Sequence, residues 1–523
     1  MQRRVWSWSW LMFGCLLLGP LGDSLSAADK LATEIGTVIE AAEFKTAHWG
    51  ILVVDLQSGA VVYEMNPDRL FAPASVTKLF SVATALDALG PDHRFETPVY
   101  ARGEINAAGE LIGDLILVAS GDLTLGGRTT AEGEIAFTSS DHTYANGGDK
   151  GELTGPDPLA GLNELARLVA ANGIKKVRGE VLIDDRLFDK ESSSGSGPRR
   201  VTPLVINDNL IDLTIAPTKP GMPAQVTWRP QSAAVQVDAK VETGAAGEPV
   251  SVSIRGVDWH TVVVRGKIPA EHKPLVRVYE VSDATAFGRG LLIEALGRAG
   301  VDVSASPLAV SGGGPSLPAR EEYPKLKLVA KFVSPPFSEN ARLILKVSHN
   351  LHASTLPLLV AAKNGERSLA AGLRRQAAFL KQVGVDADSI SFGGGAGGAS
   401  ADFVTPRATV QLLRAMHARP DAEVYRRGLP ILGVDGTLAD SVGVDSPAKG
   451  RILAKTGTLY WDNVLNDRTL LTSKALAGYA TTAKDRQLAF ALFVNNVHLQ
   501  NGSETGKIGK TLGRLCEILF ASE

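Results

Sequence analysis

The sequence predicts an α/β protein whose main body is discontinuous, built from both ends of the chain, with β-rich domains inserted between them. Three observations predict it. An apolar helix of the buried kind opens at Ser75, a strand hairpin and a helix close the chain, and the middle reads as short strands broken by Gly and Pro. At roughly 100 to 200 residues per domain, 523 residues suit about three domains. Apolar residues make up 44% and charged ones 21%, which excludes a largely disordered chain. Fifty-four basic against fifty-six acidic side chains give a net charge of −2, so no basic field exists to attract a nucleic-acid backbone, and nucleic acid is not an expected partner.

Arg3 and Arg4 precede an apolar run from Val5 to Leu21, and the small residues Ser24, Ser26, Ala27 and Ala28 follow. This is the layout of a secretory signal peptide over residues 1–28, and it predicts an exported, periplasmic protein. The run is shorter than the ~20 apolar residues a membrane span needs. Cys15 lies inside the run, whereas a lipidated cysteine should end it. Beyond the leader only Cys516 remains, so no internal disulfide can form. Cys516 shares a helical face with Ile508, Leu512, Leu515 and Leu519 and reads as a packing residue.

The first part of the main body, residues 29–98, reads as two strands around Ser58-Gly59 followed by the helix Ser75 to Leu89, whose Val76, Leu79, Phe80, Ala83 and Leu86 keep helical spacing before Gly90-Pro91 stops it. The inserted segment, residues 99–325, contains a polar stretch from Gly126 to Pro158 that reads as a loop and a helix from Leu159 to Ala171. Strands are expected at Val177 to Ile183, Leu204 to Ile215, Ala224 to Trp228, Val250 to Ile254 and Thr261 to Val264, and Ser311 to Pro315 reads as a linker. The second part of the body, residues 326–523, turns helical at Ser338, expected as an N-cap, and ends with strands Ala475 to Thr482 and Gln487 to Asn495 before the last helix.

Three short motifs stand out in order: Ser75-Val76-Thr77-Lys78, Ser348-His349-Asn350 and Lys455-Thr456-Gly457. Singly each is weak, because Ser446 to Lys449 repeats the first and Ser338 to Asn340 the second. Context separates the copies. Ser75 opens a long apolar helix on which positions i and i+3 share a face, so Lys78 can place an amine beside the hydroxyl, whereas Ser446 lies in a loop. Ser348 to Asn350 interrupts two apolar stretches as a helix connection would, and Lys455-Thr456-Gly457 is unique.

The chemistry requires these residues together. A serine hydroxyl becomes a nucleophile when a base takes its proton, and a lysine is such a base only with its pKa lowered from ~10.4 by about two or three units, roughly 3 to 4 kcal/mol. Burial and a neighbouring cation such as Lys455 both push that way. A second serine relays the proton to a leaving nitrogen, Asn350 holds a substrate amide, and the backbone N–H groups of Ser75 and Thr458 would face an oxyanion.

Ser75-x-x-Lys78, Ser348-x-Asn350 and Lys455-Thr456-Gly457 together resemble the active-site triplet of penicillin-binding proteins and serine β-lactamases. The 273 residues (348 − 75) between the first two motifs are similar to the long insertion of the D-alanyl-D-alanine carboxypeptidase/endopeptidase family, the class C low-molecular-mass penicillin-binding proteins. Gly121 to Leu125, Gly173 to Gly179, Asn207-Asp208-Asn209, Leu429 to Leu438 and Gly478 to Thr482 read like that family's recurrent stretches. The resemblance implies a transpeptidase-like domain, an antiparallel sheet flanked by helices. It implies Ser75 as acyl-ester nucleophile, Lys78 as base, Ser348 and Asn350 as relay and amide contact, and Lys455, Thr456, Gly457 and Thr458 as the strand that binds carboxylate and oxyanion. Peptidoglycan stem peptides would be the substrate, β-lactams covalent inhibitors, and no cofactor is required.

Two stretches depart from the family. Gly395 to Ala401 stands where relatives carry an Asp-Gly-Ser-Gly-Leu-Ser-Arg-like run, and Ser192 to Arg200 replaces a segment with Trp and Asp, positions that resemble those gripping the free end of a diaminopimelate side chain. Tyr460 to Thr472 reads as an extra loop. The glycines 393, 395 and 398 match a dinucleotide fingerprint but open no helix and are expected as a flexible loop. His349 and His352 lack a carboxylate nearby in sequence and are expected as partly exposed polar residues. A β-lactamase or esterase with the same nucleophile, and a non-catalytic cell-wall scaffold, remain alternatives.

Overall fold

The computed structural model describes residues 27–522 except 259 and 310–315, so the leader through residue 26 and the linker at 311–315 lie outside the described residues. The main sheet runs Ile452–Asn463, Arg468–Thr481, Gln487–Asn495, His48–Asp55, Val61–Met65, with Val497–Leu499 also paired to Arg468–Thr481. His48–Asp55 lies antiparallel to Gln487–Asn495 in unbroken register from His48 opposite Asn495 to Asp55 opposite Leu488, so the two ends of the chain share one sheet.

The alternation of side chains along a strand decides which helices cover each face. Ile51, Val53, Phe490, Leu492 and Val494 point to the first helix, Ala27–Ile39, and the last, Thr505–Ala521, where Cys516 is fully buried. The intervening Leu52, Val54, Ala489, Ala491 and Phe493 face the opposite core with the helix Thr77–Leu89. The small alanines let that helix lie close, and it is buried on every side from Thr77 to Leu86. Phe337–Val347, Asn350–Lys363, Leu369–Gln382, Pro406–His417 and Ala422–Gly428 join this layer.

The chain leaves the body along Glu96–Ile105 and returns along Lys327–Val333, neighbouring antiparallel strands of a second sheet. The helices Ala160–Ala171 and Ala284–Arg298 pack on it. Two three-stranded sheets share a further small core: Leu275–Glu280, Leu210–Ala216, Gln225–Arg229, and Ser251–Gly256, Thr261–Pro269, Gln236–Gly244.

Several local expectations need correction. The helix Ala284–Arg298 escapes a periodicity reading because it is apolar or small nearly all round, with Gly288 so tight against Leu204 that a Cβ would lie 2.4 Å from Cδ2. The strand expected from Leu204 begins at Leu210, after Asn207, Asp208 and Asn209, all left-handed with φ of 50°, 54° and 55°. Val177 to Ile183 is two short strands, Lys176–Val177 and Val181–Asp184. Ser338 is not a cap: the helix starts at Phe337 after Pro336, and the Ser338 N–H donates to the Pro91 carbonyl. Tyr460 to Thr472 is no loop but the outer half of the Ile452–Asn463/Arg468–Thr481 hairpin.

Phe80 is fully buried and meets Phe392 edge-on at 5.1 Å. Phe80→Ala is expected to lower the stability of the main body by about 3 to 5 kcal/mol, read from chemical denaturation.

Candidate active site

Ser75 sits in the single turn Ala74–Val76 that feeds the buried helix Thr77–Leu89. Ala74 is left-handed at φ 46°, an unusual conformation for a residue with a side chain. Two glycines let other segments close on this turn. A Cβ at Gly457 would lie 2.4 Å from the Pro73 carbonyl oxygen, and one at Gly397 would lie 2.0 Å from that of Ala74. The glycine of Lys-Thr-Gly is therefore a steric requirement for bringing its strand to the serine.

Lys78, one turn on, is fully buried with Nζ 2.8 Å from Ser75 Oγ, 2.7 Å from Asn350 Oδ1 and 2.7 Å from the Ala396 carbonyl oxygen. Burial first, and the nearby Lys455 second, hold its pKa well below the ordinary lysine value against an opposing pull from Asp402. In the neutral amine the two carbonyl oxygens take both hydrogens, which leaves the lone pair toward the Ser75 hydroxyl. This is the arrangement a serine-activating base needs.

Ser348 ends the helix Phe337–Val347 in a left-handed conformation, φ 64°, and Asn350 opens the next helix. Lys455 Nζ donates to Ser348 Oγ at 2.9 Å and to its neighbour's carbonyl at 2.8 Å, and burial pushes its pKa down to about 7. Thr456 Oγ1 donates to Thr437 Oγ1 at 2.7 Å. Ser75, Ser348, Asn350, Thr437, Thr456 and Thr458 line one cavity of about 350 Å³, which Tyr144, Asp141 and Ser196 border from the inserted segment. The structure thus brings together Ser75, Lys78, Ser348, Asn350, Lys455, Thr456, Gly457 and Thr458.

The match to known proteins follows this geometry. Residues 31–512 match the D-Ala-D-Ala carboxypeptidase 3 (S13) family. The chain belongs to that family. It is 29% identical over 507 residues to a D-alanyl-D-alanine carboxypeptidase of Actinomadura sp. (strain R39), covering 91% of this chain and 84% of the relative. It is 23% identical over 465 residues to the D-alanyl-D-alanine carboxypeptidase DacB of Haemophilus influenzae, covering 85% of each. The crystal structure of Haemophilus influenzae penicillin binding protein 4 superposes with a TM-score of 0.68 at 21% identity, over 93% of this chain and 99% of the other, and shares its fold.

Other residues near this cavity carry no motif. Lys474 stands opposite Thr458 in the strand pairing and donates to its hydroxyl at 2.9 Å, with burial pushing its pKa down to about 8. The glycine-rich stretch is a packed wall rather than a flexible loop: Ala396 is buried, and a Cβ at Gly395 would lie 2.0 Å from the Ala353 carbonyl oxygen. It meets the other departing segment directly, since a Cβ at Gly195 would lie 2.3 Å from the Gly398 carbonyl carbon.

His349 and His352 are fully buried, not partly exposed, and Asp208 supplies the carboxylate that their sequence neighbourhood lacks. The donor atoms of the three lie within 4.8 Å of one another, as metal ligands would. His349 Nδ1 accepts the His352 backbone N–H at 3.3 Å, which caps the helix and leaves Nε2 as the ring atom that faces Asp208.

Lys455 binds fewer protons folded than unfolded between pH 7 and 10.5. Stability therefore rises with pH across that window, by about 1.4 kcal/mol per unit for this group. The unfolding free energy of the native protein minus that of Lys455→Met is expected to climb from pH 7 to pH 10, measured by urea denaturation at each pH.

Proposed function

We propose that this chain is a serine D-alanyl-D-alanine carboxypeptidase and endopeptidase that acts on peptidoglycan stem peptides through an acyl-enzyme and is acylated by penicillins. The observation that carries the reading is the buried Lys78 amine, 2.8 Å from Ser75 Oγ, with its remaining neighbours both carbonyl acceptors. Family membership and the carboxypeptidase relatives support the same reaction.

In the forward step Ser75 Oγ attacks the carbonyl carbon of the penultimate D-alanine as its proton passes to Lys78. The Ser75 and Thr458 backbone N–H groups stabilise the oxyanion. Ser348, held by Lys455, passes its proton to the nitrogen of the departing residue and takes in exchange the proton that Lys78 received, and the C–N bond breaks to leave an ester on Ser75 and a neutral Lys78. Asn350 holds the substrate amide. Thr456, its hydroxyl turned from Thr437 to the substrate, and Thr458 bind the terminal carboxylate, with Lys474 donating to the Thr458 oxygen so that the hydroxyl proton is free to turn toward that carboxylate. Water then attacks the ester, with Lys78 accepting its proton, and regenerates the serine.

The leader over residues 1–28 places the protein outside the cytoplasm, where the cell wall is, and among the described residues no helix is long and apolar enough to cross a membrane. We place the catalytic body at residues 29–98 and 326–523 and the insertion at 99–325.

Fluorescent penicillin is expected to label the purified protein covalently and to leave Ser75→Ala unlabelled; an unlabelled native protein would make it a scaffold, and label lost within seconds a β-lactamase. Because the neutral form of Lys78 is the active one, the labelling rate falls as pH drops through its lowered pKa. Lys455→Met removes the neighbouring cation, so that acid limb is expected to move to higher pH in a stopped-flow pH series.

A further inference from the structure

The inserted segment touches the motif Ser348-His349-Asn350 at two points. Tyr144 donates its hydroxyl to the Ser348 carbonyl. Asp208 lies beneath the first turn of the helix that Asn350 opens, 5% exposed and enclosed by N–H groups. Its Oδ2 accepts from Arg128 Nε at 3.0 Å, Arg128 Nη2 at 2.7 Å and His142 Nε2 at 2.9 Å. Its Oδ1 accepts from His352 Nε2 at 2.7 Å, and His349 Nε2 lies 3.1 Å from the same oxygen, off the line of a well-formed hydrogen bond.

The surrounding charges close on themselves. Asp141 takes Arg128 Nη1 and Nη2 at 2.7 and 3.0 Å, and Asp212 takes His142 Nδ1 at 2.6 Å and Arg229 Nε at 2.7 Å. Three carboxylates therefore face Arg128, Arg229 and His142, whose hydrogen bonds to Asp208 and Asp212 outweigh burial and raise its pKa to about 9. Burial by itself would raise the Asp208 pKa, and Arg128 overrides it, so the carboxylate stays ionised. Among the described residues, His349 and His352 are the cluster's members from the catalytic body. Their rings stack with centroids 3.6 Å apart, and they bracket Asn350 and Leu351.

We infer that Asp208 is a positioning residue for the catalytic motif: by holding His349 and His352 it fixes where Ser348 Oγ and Asn350 Oδ1 stand, and so makes the inserted domain a working part of the active site. The turn needs such a hold, because Ser348 keeps a left-handed backbone that its surroundings must impose. The hold matters for rate because Asn350 Oδ1 is 2.7 Å from Lys78 Nζ and Ser348 Oγ is 2.9 Å from Lys455 Nζ, and a 1 Å misplacement of such groups costs about 100-fold. This inference rests on the proposed roles of Ser348 and Asn350.

The test uses the full chain. Asp208→Asn keeps the size and removes the charge. It is expected to slow penicillin acylation about tenfold or more, and to lower kcat on a D-alanyl-D-alanine peptide by a similar factor with KM within about twofold. In a His349→Ala/His352→Ala background the same substitution should change acylation less than about twofold, because its route to the site is gone. An equal loss in both backgrounds, or unaltered acylation by folded Asp208→Asn, overturns the inference. Ser348→Ala, assayed alongside, separates the two readings: if it acylates normally the proposed relay fails, whatever Asp208 does. Should Asp208→Asn not fold, His352→Gln, which keeps a donor for Asp208, is expected to retain acylation within about threefold and His352→Leu to lose about tenfold; equal effects overturn the inference. So does one bound zinc per chain whose chelation abolishes acylation, since Asp208 would then be a metal ligand.

Discussion

The site depends on a lysine amine kept out of water. Lys78 is fully buried with Lys455 nearby, so its charged form is disfavoured, and two carbonyl oxygens take the neutral amine's hydrogens while a serine hydroxyl lies on the remaining side. Burial and Lys455 serve that condition against the opposing pull of Asp402. The helix that bears Lys78 is apolar on every side because it lies between a sheet and other helices, and Lys455 adds a like charge nearby. The Gly395–Gly398 wall supplies a carbonyl rather than a side chain, because a carbonyl accepts without bringing a charge of its own.

The topology reconciles this dense centre with a long insertion. Strands from the two ends of the chain pair directly, and the insertion leaves and returns on adjacent antiparallel strands. Closing such an excursion costs an entropy that grows only with the logarithm of its length, so its size alone does not weaken the sheet. Fusion at one edge would still leave the insertion free to tilt. The charge cluster around Asp208 and the Tyr144 hydrogen bond remove that freedom next to the catalytic turn.

The main fold and the reacting groups were legible because their signals are local. Ser75 and Lys78 are one helical turn apart, and Val76, Leu79, Phe80 and Leu86 announce the helix that presents them. Ser348, Asn350 and Lys455 were found by residue type in order. What escaped was set by long-range register or by backbone atoms. Lys474 reaches Thr458 only because the strands pair there, and the Ala396 carbonyl has no residue signature. From sequence His349 and His352 read as partly exposed because polar side chains usually are, while their partner Asp208 lies 144 residues from His352. The helix Ala284–Arg298 was missed because burial on all sides erases the periodicity that marks a helix.

The walls of the cavity also constrain how it can recognise a ligand. Where relatives are read as gripping a charged side chain with an acid and an arginine, this chain brings two Gly- and Ser-rich segments together, Ser196 among them. Asp141 borders the same cavity, but both its oxygens are bonded by Arg128, and one of them also accepts from Thr143, so its charge is cancelled before a ligand arrives. Beside the apolar surface of Val347, the polar side chains left to meet a ligand are hydroxyls and one amide, among them Ser139, Ser140, Ser196, Thr437, Thr456, Thr458 and Asn350. Neutral hydrogen bonds discriminate by direction and fit more than by charge, and each is worth about half of a charge-assisted one. With the two Gly- and Ser-rich segments packed against each other, this wall of the cavity offers a ligand fit and hydrogen-bond direction rather than charge.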